Sequence, residues 1–330
     1  MKISVIIPVY NTNPSALRRA VDSVLTQEFP AFELILVDDK SPSIDTQKVL
    51  AEYAQVPGIN VLHNKENLGV AGSRNQGILH AKGDWLAFLD HDDYYRPAFL
   101  KSLADQVSDD TDIVIGGYRN MDNNGEEHSL FPADAAEFRC EDYIVRNGMV
   151  WSRLFRKEAL LTHRILFPEG KLMEDTIFCL RCAPLLSRMK TVPSWEYCYS
   201  YDNSSSITHS SKMRALPLEQ LPIQELQEIA KQGLYNISVY YRISFLNALV
   251  NCSLYLTTWS KAPVRQSVVH SAGKILRLMN LSCSDLNAAL RASDNSTFGR
   301  LILKGLWFSS SCYTEQLYSS MVLPFLRHLS

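Results

Sequence analysis

The sequence predicts an α/β fold, with a mostly parallel sheet flanked by helices and then an all-helical C-terminal extension. Three observations predict it. Short apolar runs alternate with helical patterns over residues 3–117, and that alternation requires crossover connections and a parallel sheet. Two of the runs, LILVDDKS at Leu34–Ser41 and WLAFLDHDD at Trp85–Asp93, pass directly from apolar residues into carboxylates, as doubly buried strands do where they reach the rim of a sheet. From Lys212 onward strand signals nearly vanish and amphipathic helical patterns remain.

Ile3–Val9 reads as the first strand. Asn13 followed by Pro14 is a helix start, with Asn as N-cap and Pro at the first helical position, and the helix repeats apolar residues at Leu17, Val21, Val24 and Leu25. Glu33–Val37 is a strand, Ile44–Ala54 a helix, Ile59–Leu62 a third strand, Val70–Ala81 a helix and Trp85–Leu89 a fourth strand. Pro97–Val107 reads as a helix and Asp112–Gly117 as a strand. Regularity drops after Tyr118. Met121–Glu127 (MDNNGEE) is a turn or hairpin tip, Trp151–Phe155 a strand, Asp175–Leu186 a helix and Trp195–Tyr201 an aromatic strand. The domain boundary falls near Ser210, giving a sheet domain over 1–210 and a helical domain over 211–330.

At 330 residues the chain exceeds a usual single core, so a large domain with an appendage is expected. A hydrophobic content of 46% and a charged content of 21% exclude a disordered chain. The net charge is −2, and no nucleic-acid partner is expected. That total hides an asymmetry: residues 210–330 hold 12 Lys and Arg against 6 Asp and Glu, which leaves −8 for the remainder. The start, MKISVIIPVYN, has an apolar run too short for a secretory signal and interrupted by Pro8. Seven cysteines, an odd count, suit reduced thiols and a cytoplasmic location. Cys179 and Cys182 form one CxxC without two further ligands at zinc spacing, so helix packing explains them better. Ile243–Ser260 has spanning length but carries Ser244, Asn247, Asn251, Ser253, Thr257 and Thr258, too polar for a membrane helix.

Ligands of open α/β sheets sit beyond the carboxyl ends of the strands, so Asp38, Asp39, Asp90, Asp92 and Asp93 should gather at one rim. Carboxylates gathered there repel one another unless a cation sits among them. Hard oxygen ligands suit Mg2+ or Mn2+, which bridge carboxylates to substrate phosphates. In the extended reading Asp90 and Asp92 point the same way, so both can face one ion. PVYN at Pro8–Asn11 is a strand exit. NLGVAGSRN at Asn67–Asn75 opens a helix with glycines, Gly72 among them, that let N–H groups approach a phosphate. It is not the GxGxxG dinucleotide fingerprint. Arg74 lies one turn inside, within reach of a base or phosphate. GKLMEDTIF at Gly170–Phe178 puts Glu174 and Asp175 at a helix start, where they complement the dipole or take a proton as a general base.

The order and spacing of these elements resemble glycosyltransferase family 2, with its Rossmann-like GT-A nucleotide-sugar fold, over roughly the first two-thirds of the chain. The resemblance implies an inverting transfer from a nucleotide-diphospho-sugar, most often UDP-linked, to a glycan or lipid-linked acceptor. It implies that Pro8, Tyr10, Asp39 and Arg74 hold the base, with Asn11, Asp38, Asn67 and Gly72 in the same nucleotide site. Asp90 and Asp92 match the DxD that binds ribose, metal and diphosphate, with Asp93 adjoining it. Asp175 matches the catalytic base and Glu174 the acceptor-orienting residue. Trp151 and Arg153 resemble an acceptor or sugar segment, and His209 is a candidate metal or diphosphate contact. Bacterial surface polysaccharide or lipooligosaccharide synthesis is the associated setting. A sugar nucleotidyltransferase and a non-catalytic nucleotide-sugar-binding module are the rival readings. The C-terminal stretch Pro263–Leu281 sets Val264, Val268, Ile275 and Met279 opposite His270, Lys274 and Arg277, a basic amphipathic pattern that fits an anionic membrane surface, its own domain or a homodimer contact.

Overall fold

A computed structural model describes residues 1–121, 127–131, 148–200 and 220–233, together with the single positions 144, 245, 248, 271, 275 and 278. The hairpin tip at 122–126, the boundary near Ser210, His209 and nearly all of the C-terminal stretches lie outside the described residues. The chain divides into two compact units. The first comprises Met1–Ile144, Met149–Gly170 and Leu185–Ser206, and the second Val145–Gly148, Lys171–Pro184 and Ile207–Ser330.

The first unit is built on a seven-stranded sheet. In chain order its strands are β1 (Ile3–Val9), β2 (Phe32–Asp38), β3 (Ile59–His63), β4 (Trp85–Phe88), β6 (Ile113–Ile115), β9 (Arg153–Arg156) and β10 (Met189–Thr191). Their lateral order is β10-β6-β9-β4-β1-β2-β3. β1 pairs in parallel with both β2 and β4, β2 with β3, and β6 with β10. Only β9 runs antiparallel, between β4 and β6. Every residue of β1 is buried, as expected of a central strand covered on both faces. The helices α1 (Pro14–Leu25), α2 (Ile44–Tyr53) and α3 (Gly69–His80) make the crossovers. Asn13 caps α1 as its sequence announces: Oδ1 accepts from Ser15 N at 2.9 Å, with Pro14 at the first helical position.

The start of β9 is set locally. The predicted strand Trp151–Phe155 begins two residues later than read, because Ser152 sits at φ +56°, a left-handed conformation that breaks the pleat. Ser152 is held there by its own Oγ, which donates to Gly117 O at 2.6 Å, and by its carbonyl, which accepts from Gly116 N at 2.9 Å. The helix α4 (Phe99–Ala104) is shorter than its apolar pattern suggests, and α5 (Lys157–Thr162) was not read at all.

A second sheet of four strands has the order β5-β11-β7-β8, with β5 at Tyr94–Tyr95, β7 at Tyr118–Met121, β8 at Glu127–Phe131 and β11 at Tyr197–Ser200. β7 and β8 pair antiparallel, as flanks of the predicted turn should. Aromatic stacking ties this sheet to the residues before β9: the Trp151 ring lies 4.6 Å from Tyr197 and 5.5 Å from Tyr199, nearly parallel to both.

In the second unit, α6 (Glu174–Leu185) begins and α7 (Ile223–Lys231) lies beside the same segment. Leu172 N donates to Gln220 O at 2.7 Å, and Lys171 Nζ is 3.7 Å from Glu225 Oε1. Among the described residues no helix is long and apolar enough to cross a membrane.

Gly77 lets α3 lie directly on β1, since a Cβ there would collide with the Ile6 side chain. Gly77→Ala is therefore expected to lower stability by about 1–3 kcal/mol through overpacking, read as a lower urea midpoint at unchanged m.

Candidate active site

β2 and β4 are the two neighbours of β1, so the acidic tips emerge on either side of one strand end. With strands about 4.8 Å apart, the tips lie about 10 Å from each other at the main chain. Pro8 helps to open this rim. Leu89 N donates to Ile6 O at 3.0 Å, and the next bond of a parallel ladder would need an N–H at position 8. Proline has none, so the chain after Leu89 peels away from β1 and enters the Asp90–Asp93 loop.

On the β2 side the two carboxylates diverge. Asp38 is buried, and its Oδ1 accepts from Ser41 N at 3.0 Å while Oδ2 accepts from Gln47 Nε2 at 2.9 Å and lies 3.0 Å from His63 Nδ1. Burial pushes its carboxyl up, but the hydrogen bonds from Ser41, Gln47 and His63 outweigh that and hold it below the ordinary carboxylate range. Asp39 turns to the N-terminus of α3. Its Oδ1 accepts from Leu68 N and Asn64 Nδ2, and its Oδ2 from Gly69 N, each at 2.8 Å. Asn67 Nδ2 donates to the Asp39 carbonyl at 3.2 Å. Two of the N–H groups at this helix start, those of Leu68 and Gly69, are thus taken by the protein's own carboxylate, which suits the positive end of the dipole. Gly72 packs against Leu68, whose Cβ a side chain at 72 would strike.

The Asp38 shift carries a sign. A carboxyl held low in the folded state adds stability that is complete above its unfolded value of about 3.9 and is lost as pH falls through the lower folded value. Asp38→Asn is expected to lower stability by about 1–3 kcal/mol at neutral pH, the range for hydrogen bonds to a charged group. That deficit should shrink in urea titrations carried below pH 4.

Arg74 lies one turn inside α3, is 2% exposed, and donates from Nη2 to Asp90 Oδ1 at 2.8 Å, so it bridges the α3 side of the rim to the β4 tip. Its guanidinium sits 5.3 Å from the Phe167 ring centroid. Asn75, next along, clamps Phe167: its Nδ2 donates to Phe167 O at 3.0 Å and to Glu169 Oε1 at 2.9 Å, and its Oδ1 accepts from Phe167 N at 2.9 Å. An Asn inside a helix is a poor helix former, and here it serves a tertiary bond instead.

In the β4 loop, Asp90 and Asp92 are partly exposed, with side chains 29% and 23% accessible. Asp93 is fully enclosed. Its Oδ2 accepts from Tyr197 OH at 2.6 Å and its Oδ1 from Ser200 N at 2.8 Å. Burial first, then the neighbouring charges of Asp90 and Asp92, drive its carboxyl well above the usual range. Asp93 thus fastens the loop to β11. Arg19 of α1 and Ser200 of β11 hold the same loop through the Asp92 carbonyl, at 2.6 and 2.7 Å. Sequence reading missed Arg19, Asn75, Tyr197 and Ser200.

The other expected residues fall as follows. Tyr10 is 47% exposed at the end of β1. Asn11 takes φ +48°, donates from its N–H to Ser41 Oγ at 3.1 Å and accepts from Ser43 N at 3.1 Å, tying the β1 and β2 exits together. Trp151 and Arg153 are buried in the first unit, Arg153 reaching the Ile144 carbonyl at 3.3 Å. Glu174 and Asp175 occupy the first turn of α6, directly after Met173 at φ +56°. Among the described residues no three His, Cys, Asp or Glu side chains form a metal-binding group. Asp90 and Asp92 are partly exposed hard oxygen donors of the kind that suits Mg2+ or Mn2+, and such an ion would need substrate phosphate and water to complete its coordination.

Residues 4–163 match the family model "Glycosyl transferase family 2". The Bacillus subtilis protein named "Putative glycosyltransferase EpsH" is 27% identical over 221 residues, covering 64% of this chain and 64% of its own length. The match thus spans just under two thirds of that relative. Among solved structures, S. aureus TarS 1–349 in complex with UDP-GlcNAc superposes with a TM-score of 0.60 at 18% identity, over 84% of this chain and 89% of that one. The mannosyltransferase PcManGT of Pyrobaculum calidifontis, in complex with GDP-Man and Mn2+, gives a TM-score of 0.51 at 14% identity over 99% and 86%. The GT-A fold is shared with both. A sheet with acidic tips on both sides of its central strand, the family-model match and the Bacillus relative agree: over residues 4–163 this chain is similar to glycosyltransferase family 2.

Proposed function

We propose that the protein moves a sugar from a UDP-sugar to a hydroxyl of a glycan or lipid-linked acceptor, with inversion at the anomeric carbon. The observation that supports this most is the pair of acidic tips flanking the end of β1, with the β4 tip tied to α3 by the Arg74–Asp90 contact. The likeness to a UDP-GlcNAc complex supports the uridine donor, and the Mn2+ in the mannosyltransferase complex supports the metal.

In this reading Pro8, Tyr10, Asn11, Asp39, Asn67 and Gly72 form or shape the nucleotide end of the site. Asp90 and Asp92 would hold Mn2+ or Mg2+, and the bound ion neutralises charge on the donor diphosphate. Arg74 keeps Asp90 oriented and adds positive charge near the leaving group. Asp175 accepts the proton of the acceptor hydroxyl as that oxygen attacks the anomeric carbon and the bond to the nucleoside diphosphate breaks. Glu174 orients the acceptor. A single displacement needs no second carboxylate as nucleophile, unlike a retaining glycosidase. Trp151, Arg153 and His209 remain proposed acceptor-side or diphosphate contacts, with the first two acting from within the fold. The C-terminal stretch is proposed to engage a membrane surface or a second copy.

A panel of nucleotide sugars, each with manganese or with chelator, tests this by release of nucleoside diphosphate and by the anomeric configuration of the product. Manganese-dependent turnover of a UDP-sugar with inversion is expected. No turnover of any UDP-sugar, or a retained configuration, would contradict it.

A further inference from the structure

We propose that Arg19 and Ser200 are positioning residues: together they clamp the main chain at Asp92 and so aim its carboxylate at the metal–diphosphate group. The proposal rests on the reading of Asp92 as a metal ligand. Its basis is a closed ring of hydrogen bonds. Arg19 Nη2 donates to Asp92 O at 2.6 Å and to Ser200 Oγ at 2.9 Å, and Ser200 Oγ spends its own hydrogen on Asp92 O at 2.7 Å. Two donors from elements 73 and 108 residues away in sequence thus meet on one carbonyl oxygen.

The neighbouring positions are held as well. Ser200 N donates to the Asp93 carboxylate at 2.8 Å, and the Arg19 guanidinium lies 4.9 Å from the Tyr94 ring centroid. Residues 92, 93 and 94 are therefore gripped in succession by the same two elements, α1 and β11. This matters because the loop between β4 and β5 has no ladder of its own to fix it. With the Asp92 main chain held, only two side-chain torsions separate it from its carboxylate oxygens. A metal ligand displaced by about 1 Å no longer completes the coordination on which catalysis depends. Arg19 also brings a positive charge to a loop carrying three carboxylates, which eases their repulsion before an ion arrives. Neither residue needs to touch the donor to do this.

The test uses the full chain, UDP and manganese. Arg19→Met keeps the stem and removes the donors, Ser200→Ala removes the hydroxyl, and Arg19→Lys restores one cationic donor. Each of the first two variants is expected to raise the manganese concentration that half-saturates UDP binding by about 10–100-fold, with kcat at saturating manganese within about twofold of wild type. Arg19→Lys should recover part of the loss. Because both donors act on one carbonyl, the double variant should lose less than the product of the single effects. Wild-type manganese dependence in Arg19→Met and Ser200→Ala, even with a lowered Tm, overturns the clamp. Should Arg19→Met fail to fold, Ser200→Ala decides alone. A wild-type protein that binds UDP without any manganese dependence would instead overturn the metal-site reading, and the clamp with it.

Discussion

Asp175→Asn is expected to lower kcat for sugar transfer by about 10²–10⁴-fold, the span that general-base catalysis supplies, while the affinity for UDP with manganese stays within about twofold of wild type. The substitution keeps the size of the side chain and removes its ability to hold a proton. At the second position of α6 an Asn fills the same space, so the helix loses one of its two first-turn acids and little else. The first turn retains Glu174, which preserves an acid at the positive end of the dipole. A large kinetic loss with intact Tm and intact donor binding would therefore isolate proton transfer. Retained turnover would reject Asp175 as the base and turn attention to Glu174, the other acid of that turn. Single-turnover measurement with saturating donor keeps product release from masking the chemical step.

Asp92→Ala is expected to weaken manganese-dependent UDP binding by about 30–1,000-fold, corresponding to roughly 2–4 kcal/mol for the loss of one partner of a charged contact. Binding measured in chelator should change less, because the base contacts assigned to the β2 side are untouched. The stability cost should be small. Asp92 is partly exposed, and the hydrogen bonds from Arg19 and Ser200 go to its main-chain carbonyl, which alanine retains. Asp93→Ala makes an instructive contrast. Its carboxylate is enclosed and bonded to Tyr197 and Ser200, so removing it should reduce folding stability along with donor affinity. A variant set in which Asp92→Ala unfolds the protein and Asp93→Ala is silent would reverse the roles given to the two residues.

Much of this was legible in the sequence, for identifiable reasons. The strands β1, β2 and β4 are continuous apolar runs because they are buried on both faces, and such runs need no partner to be recognised. Asn13–Pro14 marks the start of α1 through local chemistry alone. The acidic tips follow from where those strands end. What escaped depends on distance along the chain or on very short segments. β5 has two residues and β10 three, too few for any period to register. The direction of β9 leaves no mark in composition. Asp39 reads as a ligand contact, but its partners include two main-chain N–H groups 29 and 30 residues further on, which carry no side-chain signature. Arg19 lies on an exposed face of α1 where a basic residue is unremarkable, and only the folded position of Ser200 gives it a purpose. Asn75 alone left a trace, as a poor helix former within a helical stretch.

The most direct measurement is diffraction from crystals of the full chain grown with UDP and manganese, with data collected to reveal anomalous scattering. The account predicts a manganese peak within about 2.5 Å of a carboxylate oxygen of Asp90 or Asp92, bridged to the UDP diphosphate, with the uracil on the β2 side of β1. Manganese and UDP bound away from the end of β1, or UDP bound there with no ion between its phosphates and the Asp90–Asp93 loop, would contradict it.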